Sequence, residues 1–126
     1  MGWLDKLLGR DRDDDTPVAD KVLGSDARRA QLVELSAALR ELVTEMNGEA
    51  CPSDNPGWRG RVRDYQYSLG GIDSMLATRI TKDDLFDTLS TIRPLGAVPA
   101  GCEHLTVIAE RVVVLARQAE KPLPGE

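Results

Sequence analysis

The side chains in this sequence best equipped for chemistry are Cys51, Cys102 and His104, the two thiols and the one imidazole of a 126-residue chain. Thiolate sulfur and imidazole nitrogen are zinc ligands, and a zinc site takes four ligands, usually in close pairs. Cys102 and His104 lie two positions apart, and on a helix such neighbours diverge by about 200°. They could share a metal only if the helix began after them, with a carboxylate such as Glu49 or Glu103 completing the set. The cysteines also flank loops that could meet at one end of an antiparallel bundle, where a reversible disulfide is geometrically feasible. Cys102 near a helix N-terminus would gain some thiolate character. The simpler assignment is two free structural thiols in a cytoplasmic protein and a surface histidine, with no metal or other cofactor.

A second cluster runs Trp58-Arg59-Gly60-Arg61-Val62-Arg63 and on to Tyr67. Arginines interleaved with aromatic rings can hold phosphates and stack bases. Helical spacing splits this patch, because Arg59 and Arg63 share a side while Arg61 points elsewhere. Trp58 and Tyr65 fit an apolar stripe and belong to the core, which leaves Tyr67 as the exposed ring. The arginines then form a solvated face, and as a binding patch Arg59, Arg61, Arg63 and Tyr67 suit an acidic protein partner better than a nucleic acid. The net charge of −5 argues the same way, since nucleic-acid affinity comes largely from cations meeting phosphates.

The third cluster is Trp3, Leu4, Leu7 and Leu8, on one face of a short amphipathic segment from Gly2 to Gly9, with Asp5 and Lys6 opposite. Burying these four side chains would release roughly 6–12 kcal/mol, most of it offset by ordering residues that are not helical alone. The surplus fits a weak, reversible contact with a protein groove, a membrane surface or the chain's own bundle. Membrane binding gains little from charge, because Lys6, Arg10 and Arg12 are outnumbered by Asp5, Asp11, Asp13, Asp14, Asp15 and Asp20. Arg10 to Asp15 is charged throughout and serves as a solvated tether. Asp83, Asp84 and Asp87 need no catalytic explanation, because acids are favoured in a helix's first turn. No phosphate loop, nucleophile elbow or His-Glu metal motif is present, so no enzyme is expected.

Helices must position these groups. Leu32, Leu35, Leu39, Leu42 and Met46 alternate in steps of three and four. So do Trp58, Val62, Tyr65, Leu69, Ile72, Leu76 and Ile80, and again Leu105, Ile108, Val112, Leu115 and Ala119. Each set forms one helical stripe, and three stripes must cover one another. The chain is long enough to bury roughly two-thirds of its unfolded surface without a disulfide or metal. Its 41% hydrophobic and 29% charged content is ordinary for a globular protein. No apolar run approaches the roughly 20 residues of a membrane span, nor a signal-peptide core.

Thr16-Pro17 opens a short segment burying Val18, Val22 and Leu23. Ser25 caps a helix from about Asp26 to Met46, ended by the left-handed tolerance of Asn47-Gly48. A helix from near Trp58 to Arg79 continues through Gly70-Gly71, and Thr81 caps a shorter one with Leu85, Phe86, Leu89 and Ile92 inward. The last runs from about Ala100 to Glu120. Val112-Val113-Val114 widens its apolar face, which suits the central helix of the bundle, or a homodimer if the stripe is too wide for one chain. The expected fold is all-α: residues 1–15 as flexible amphipathic segment and tether, 16–120 as a bundle of three long helices plus one short, and 121–126 as a frayed tail. The expected function is a non-catalytic cytoplasmic adaptor or regulatory subunit that binds a protein partner through its N-terminal segment (Trp3, Leu4, Leu7 and Leu8), its bundle surface, or both. The alternatives are a peripheral membrane protein using Trp3, Leu4, Leu7 and Leu8, and a thiol or metal sensor using Cys51, Cys102 and His104.

Overall fold

A computed structural model describes residues 22–48, 51 and 55–126. Among these residues the protein is all-α, with α1 Asp26–Met46, α2 Pro56–Ala77, α3 Lys82–Ser90 and α4 His104–Ala119. One isolated antiparallel bridge joins Val22 to Thr81. The amphipathic segment with Trp3, Leu4, Leu7 and Leu8, the tether and the Thr16-Pro17 start lie outside the described residues.

Three helices begin where a side chain accepts from N–H groups that have no partner within the helix. Ser25 Oγ accepts from Arg28 at 3.1 Å, Asn55 Oδ1 from Gly57 at 2.7 Å, and Thr81 Oγ1 from Asp84 at 3.2 Å. α4 starts at His104 rather than Ala100, because Gly101 has φ 88° and cannot continue a right-handed helix. α1 stops at Asn47-Gly48 without a left-handed residue at Asn47, which has φ −91° and donates its N–H to the Val43 carbonyl at 3.1 Å. α2 runs unbroken through Gly70-Gly71. A Cβ on Gly71 would sit 3.1 Å from Thr88 Cγ2, so this glycine lets α3 lie close against α2.

α1 packs against both α2 and α4, and α3 lies against α2 and reaches α4. The centre therefore belongs to α1 and not, as the valine run suggests, to α4. Leu32, Leu35, Leu39 and Leu42 of α1 are completely buried, as are Ile72 of α2 and Leu105 and Val112 of α4. Three consecutive valines fan over about 200° of a helix. Val112 alone of them reaches the core fully, while Val114 faces outward. Two other apolar residues also depart from expectation. Phe86 is 60% exposed, since Leu85 and Leu89, one turn apart, supply the buried face of α3. Val22 is exposed while Leu23 is buried, because neighbours in extended chain point to opposite sides.

Donors from other elements also reach the helix C-termini. The last carbonyls of a helix lack partners within it. Trp58 Nε1 of α2 donates to Met46 O at the end of α1 at 3.2 Å. Arg29 of α1 donates to Leu76 O at the end of α2 at 2.8 Å. Arg117 of α4 donates to Leu89 O in α3 at 3.5 Å and to Ile92 O just beyond it. Arg28 of α1 donates to Ala119 O at the end of α4 and to Lys121 O at 3.0 Å. Arg28 is 1% exposed and is neutralised by Glu126, whose carboxylate takes both Nε and Nη2. Residues 121–126, expected as a frayed tail, are tied back by this contact and by the Leu123 N–H on Glu126 Oε1 at 3.0 Å.

Leu39→Asp and Val112→Asp should each lower unfolding free energy in urea by about 3 kcal/mol or more, since each buries a lone charge. Phe86→Ser should change it by no more than about 0.5 kcal/mol.

Candidate functional site

The two loops carrying the cysteines meet, and Cys51 and Cys102 form a disulfide with Cα atoms 5.7 Å apart. Both are buried. This replaces the expectation of two free thiols: the α1–α2 loop and the segment before α4 converge because α2 and α4 both run antiparallel to α1. Trp58 on Met46 O and His104 near Glu45 mark that shared end. As a disulfide, the pair offers no thiolate to a metal. His104 opens α4 and turns to Glu45, its Nε2 lying 3.4 Å from Oε1. Among the described residues no cluster of three or more His, Cys, Asp or Glu is placed to hold a metal ion.

The arginine-aromatic cluster is divided by the structure. Arg61 reaches away from α2 and donates to Leu95 O and, at 3.4 Å, to Pro94 O, so it fastens the loop after α3. Tyr65 is buried with its hydroxyl donating to Arg93 O at 2.6 Å. Burial pushes its phenol pKa up; the Arg61 guanidinium pulls it down and Asp64 adds to the rise. The neutral phenol is thus the form held, consistent with its role as a donor.

These two attachments shape a groove of about 670 Å3 between α2 and the loop after α3. Gly57 and Gly60 leave its α2 side open, and Arg63, Arg93, Tyr67 and Thr91 stand along it, with Asp64 as its acid. Arg59 does not line it. Arg63 and Tyr67 share a face because they are four residues apart on α2. Tyr67 is 81% exposed, as its position off the apolar stripe requires. Beyond Tyr67 and Thr91 a second groove of about 600 Å3 follows Gln66, Gly70, Gly71 and Thr88, with Asp87 at its edge. The Ser68 and Thr91 hydroxyls, 3.2 Å apart, join α2 to the end of α3 between the two.

Such a surface can grip carboxylates through planar guanidinium groups and lay an apolar or aromatic side chain on the Tyr67 ring. Arg93 is the member that sequence reasoning misses. Its signal is faint, a charged residue between buried Ile92 and Pro94, with nothing to show which helix it will face. No protein-family model, curated protein or solved structure matches this chain.

The disulfide closes a loop across a sequence separation of 51 residues, for which chain entropy gives about 4 kcal/mol of stabilisation. The Cys51→Ser, Cys102→Ser double variant should lose about that much in urea unfolding, and the native protein should show no thiol before reduction. Titratable thiols in the native protein with unchanged variant stability would contradict the bond.

Proposed function

We propose that the protein is a non-catalytic interaction module, an adaptor or regulatory subunit built as a bundle of three long helices and one short one. In this reading its α2–α3 groove receives an acidic segment of a partner protein. The observation that carries it is Tyr67, an almost fully exposed ring beside Arg63 on the face that Arg93 approaches from the facing loop. A large exposed aromatic next to arginines is the composition of a recognition surface, since Tyr and Arg are enriched where interface energy concentrates. Asp64 and Asp87 along the same face disfavour a phosphate backbone and favour a peptide with mixed character.

A non-catalytic role is supported by the engagement of the reactive groups. The cysteines are bonded to each other, His104 faces Glu45, and the Tyr65 hydroxyl is committed to a backbone carbonyl. Trp3, Leu4, Leu7 and Leu8 supply a second contact in this reading, to the partner or to a membrane surface. No helix among the described residues is long and apolar enough to cross a membrane. The Cys51–Cys102 bond favours a second reading, a thiol-responsive module, because disulfides of cytoplasmic proteins are commonly transient and redox-sensing. The bond holds Cys51, which precedes α2 in sequence, to Cys102, and α2 is the helix that carries Arg63 and Tyr67.

Titration of isotope-labelled protein with a glutamate-rich peptide containing one tyrosine should move the amide signals of Arg63, Tyr67, Thr91 and Arg93. A lysine-rich peptide should not. Arg63→Glu, or salt near 0.5 M, should weaken the acidic peptide by about tenfold. Shifts scattered over the surface, or equal affinity in Arg63→Glu, would contradict the groove. Affinity unchanged by full reduction of the disulfide would remove the thiol-responsive reading.

A further inference from the structure

Arg28, Arg40, Arg111 and Arg117 each hold a carboxylate. Arg63 and Arg93, on the two sides of the α2–α3 groove, are exposed and make no ion pair among the described residues. With Arg61 the groove lining holds three arginines against the single acid Asp64, a surplus of positive charge.

The chain carries a matching sequence of its own. Arg10 to Asp15 sets Asp11, Asp13, Asp14 and Asp15 against two arginines. Val22, the first described residue, is bridged to Thr81, the N-cap of α3, so residues 1–21 join the fold beside the start of that helix. The nine residues of α3 rise about 14 Å from there towards Thr91 and Arg93. The stretch from Asp15 to Lys21 spans up to about 23 Å when extended, enough to bring the aspartates to the groove. The order of charges agrees with that path. Asp20 and Lys21, next to the bridge, balance each other, and Thr16 to Ala19 carry no charge where the path passes Asp83, Asp84 and Asp87 of α3. Arg79 and Lys82 are the competing cations near the bridge, but Asp83 and Asp84 follow them directly and repel an acidic run.

We propose that Asp13, Asp14 and Asp15 occupy the α2–α3 groove of their own chain, on Arg63 and Arg93, so that an acidic partner must displace them to bind. The occupation rests on the reading of that groove as a receptor for acidic segments and adds its regulation. Contacts between exposed charges are weak. A segment of the same chain nevertheless meets the groove at an effective concentration in the millimolar range, which a separate partner has to outcompete.

The test uses the full chain with Gly9→Cys carrying a nitroxide, the native cysteines remaining bonded to each other. The amide signals of Arg63, Tyr67, Thr91 and Arg93 should broaden selectively, and to the same extent after a roughly tenfold dilution, since the contact is within one chain. Asp13→Asn, Asp14→Asn and Asp15→Asn together, or Arg63→Glu, should remove most of that broadening. Without the nitroxide, the triple variant should bind the glutamate-rich peptide about threefold or more tighter than the native chain, because its competitor is gone. Broadening that centres on Arg79 and Lys82, spreads evenly over the surface or survives the triple substitution would overturn the proposal. So would equal peptide affinity for the native chain and the triple variant, an outcome that leaves the groove as a receptor standing. Selective broadening in a chain that binds no acidic peptide would instead remove the receptor reading and uphold the occupation.

Discussion

A helix that ends inside a protein leaves carbonyl oxygens without partners, and leaving them buried and unpaired costs free energy comparable to a lost hydrogen bond. Among the described residues the C-terminal carbonyls of each helix meet a donor from another element. The indole of Trp58 closes α1, Arg29 closes α2, Arg117 reaches the end of α3, and Arg28 closes α4. The last turns of α1, α2 and α3 contain no basic residue of their own. Local donors serve some of the last carbonyls, as Thr78 Oγ1 does Ser74 O at 2.8 Å and Thr91 Oγ1 does Thr88 O at 2.7 Å, and tertiary contacts serve others. Hydrophobic stripes bring the helices together without direction. The cross-helix donors fix how far each may slide along its neighbour, because a guanidinium or an indole N–H bonds only within a narrow distance and angle.

The features that bear on function rest on this arrangement. With α1 at the centre, α2 and α4 both run against it, which brings the α1–α2 loop and the segment before α4 to the same end, where Cys51 bonds Cys102. Arg61 and Tyr65 hold the backbone after α3 against α2 through the carbonyls of Arg93, Pro94 and Leu95. That attachment sets Arg93 across from Arg63 and Tyr67 and so makes a groove from two elements that are distant in sequence. The same loop borders the outer face of α4 through Pro94 and Leu95. One strap thus separates two surfaces of different character, a basic groove with an exposed ring and a shallow groove along α4 lined by Val113 and Val114.

Much of the fold was legible in the sequence because it depends on period and on local caps. The leucines of α1 recur every three or four residues and are all buried, and Ser25 and Thr81 cap the helices that they precede. Tyr67 falls off the stripe of α2 and is exposed for that reason. What escaped was chemistry that spans elements. Arg29, Arg61 and Arg117 read as solvated residues, and Arg28 stands in step with the α1 leucines but carries a charge, yet these long side chains reach carbonyls 25 to 93 residues away. Nothing in periodicity marks that reach. That Cys51 and Cys102 flank loops able to meet was legible, but that they pair follows only from the helix directions. The breadth of the valine run was visible, but which helix sat at the centre depended on contacts rather than on width.

Arg28 concentrates the central claim, since one buried side chain joins the start of α1, the end of α4 and Glu126. The most direct measurement is the urea unfolding free energy of Arg28→Met beside that of Arg40→Met, whose parent side chain is 60% exposed and pairs with Asp73 at 2.9 Å. Closure of helix ends by neighbouring helices predicts a loss of about 3 kcal/mol for Arg28→Met and of no more than about 1 kcal/mol for Arg40→Met. Equal, small losses for the two would contradict it.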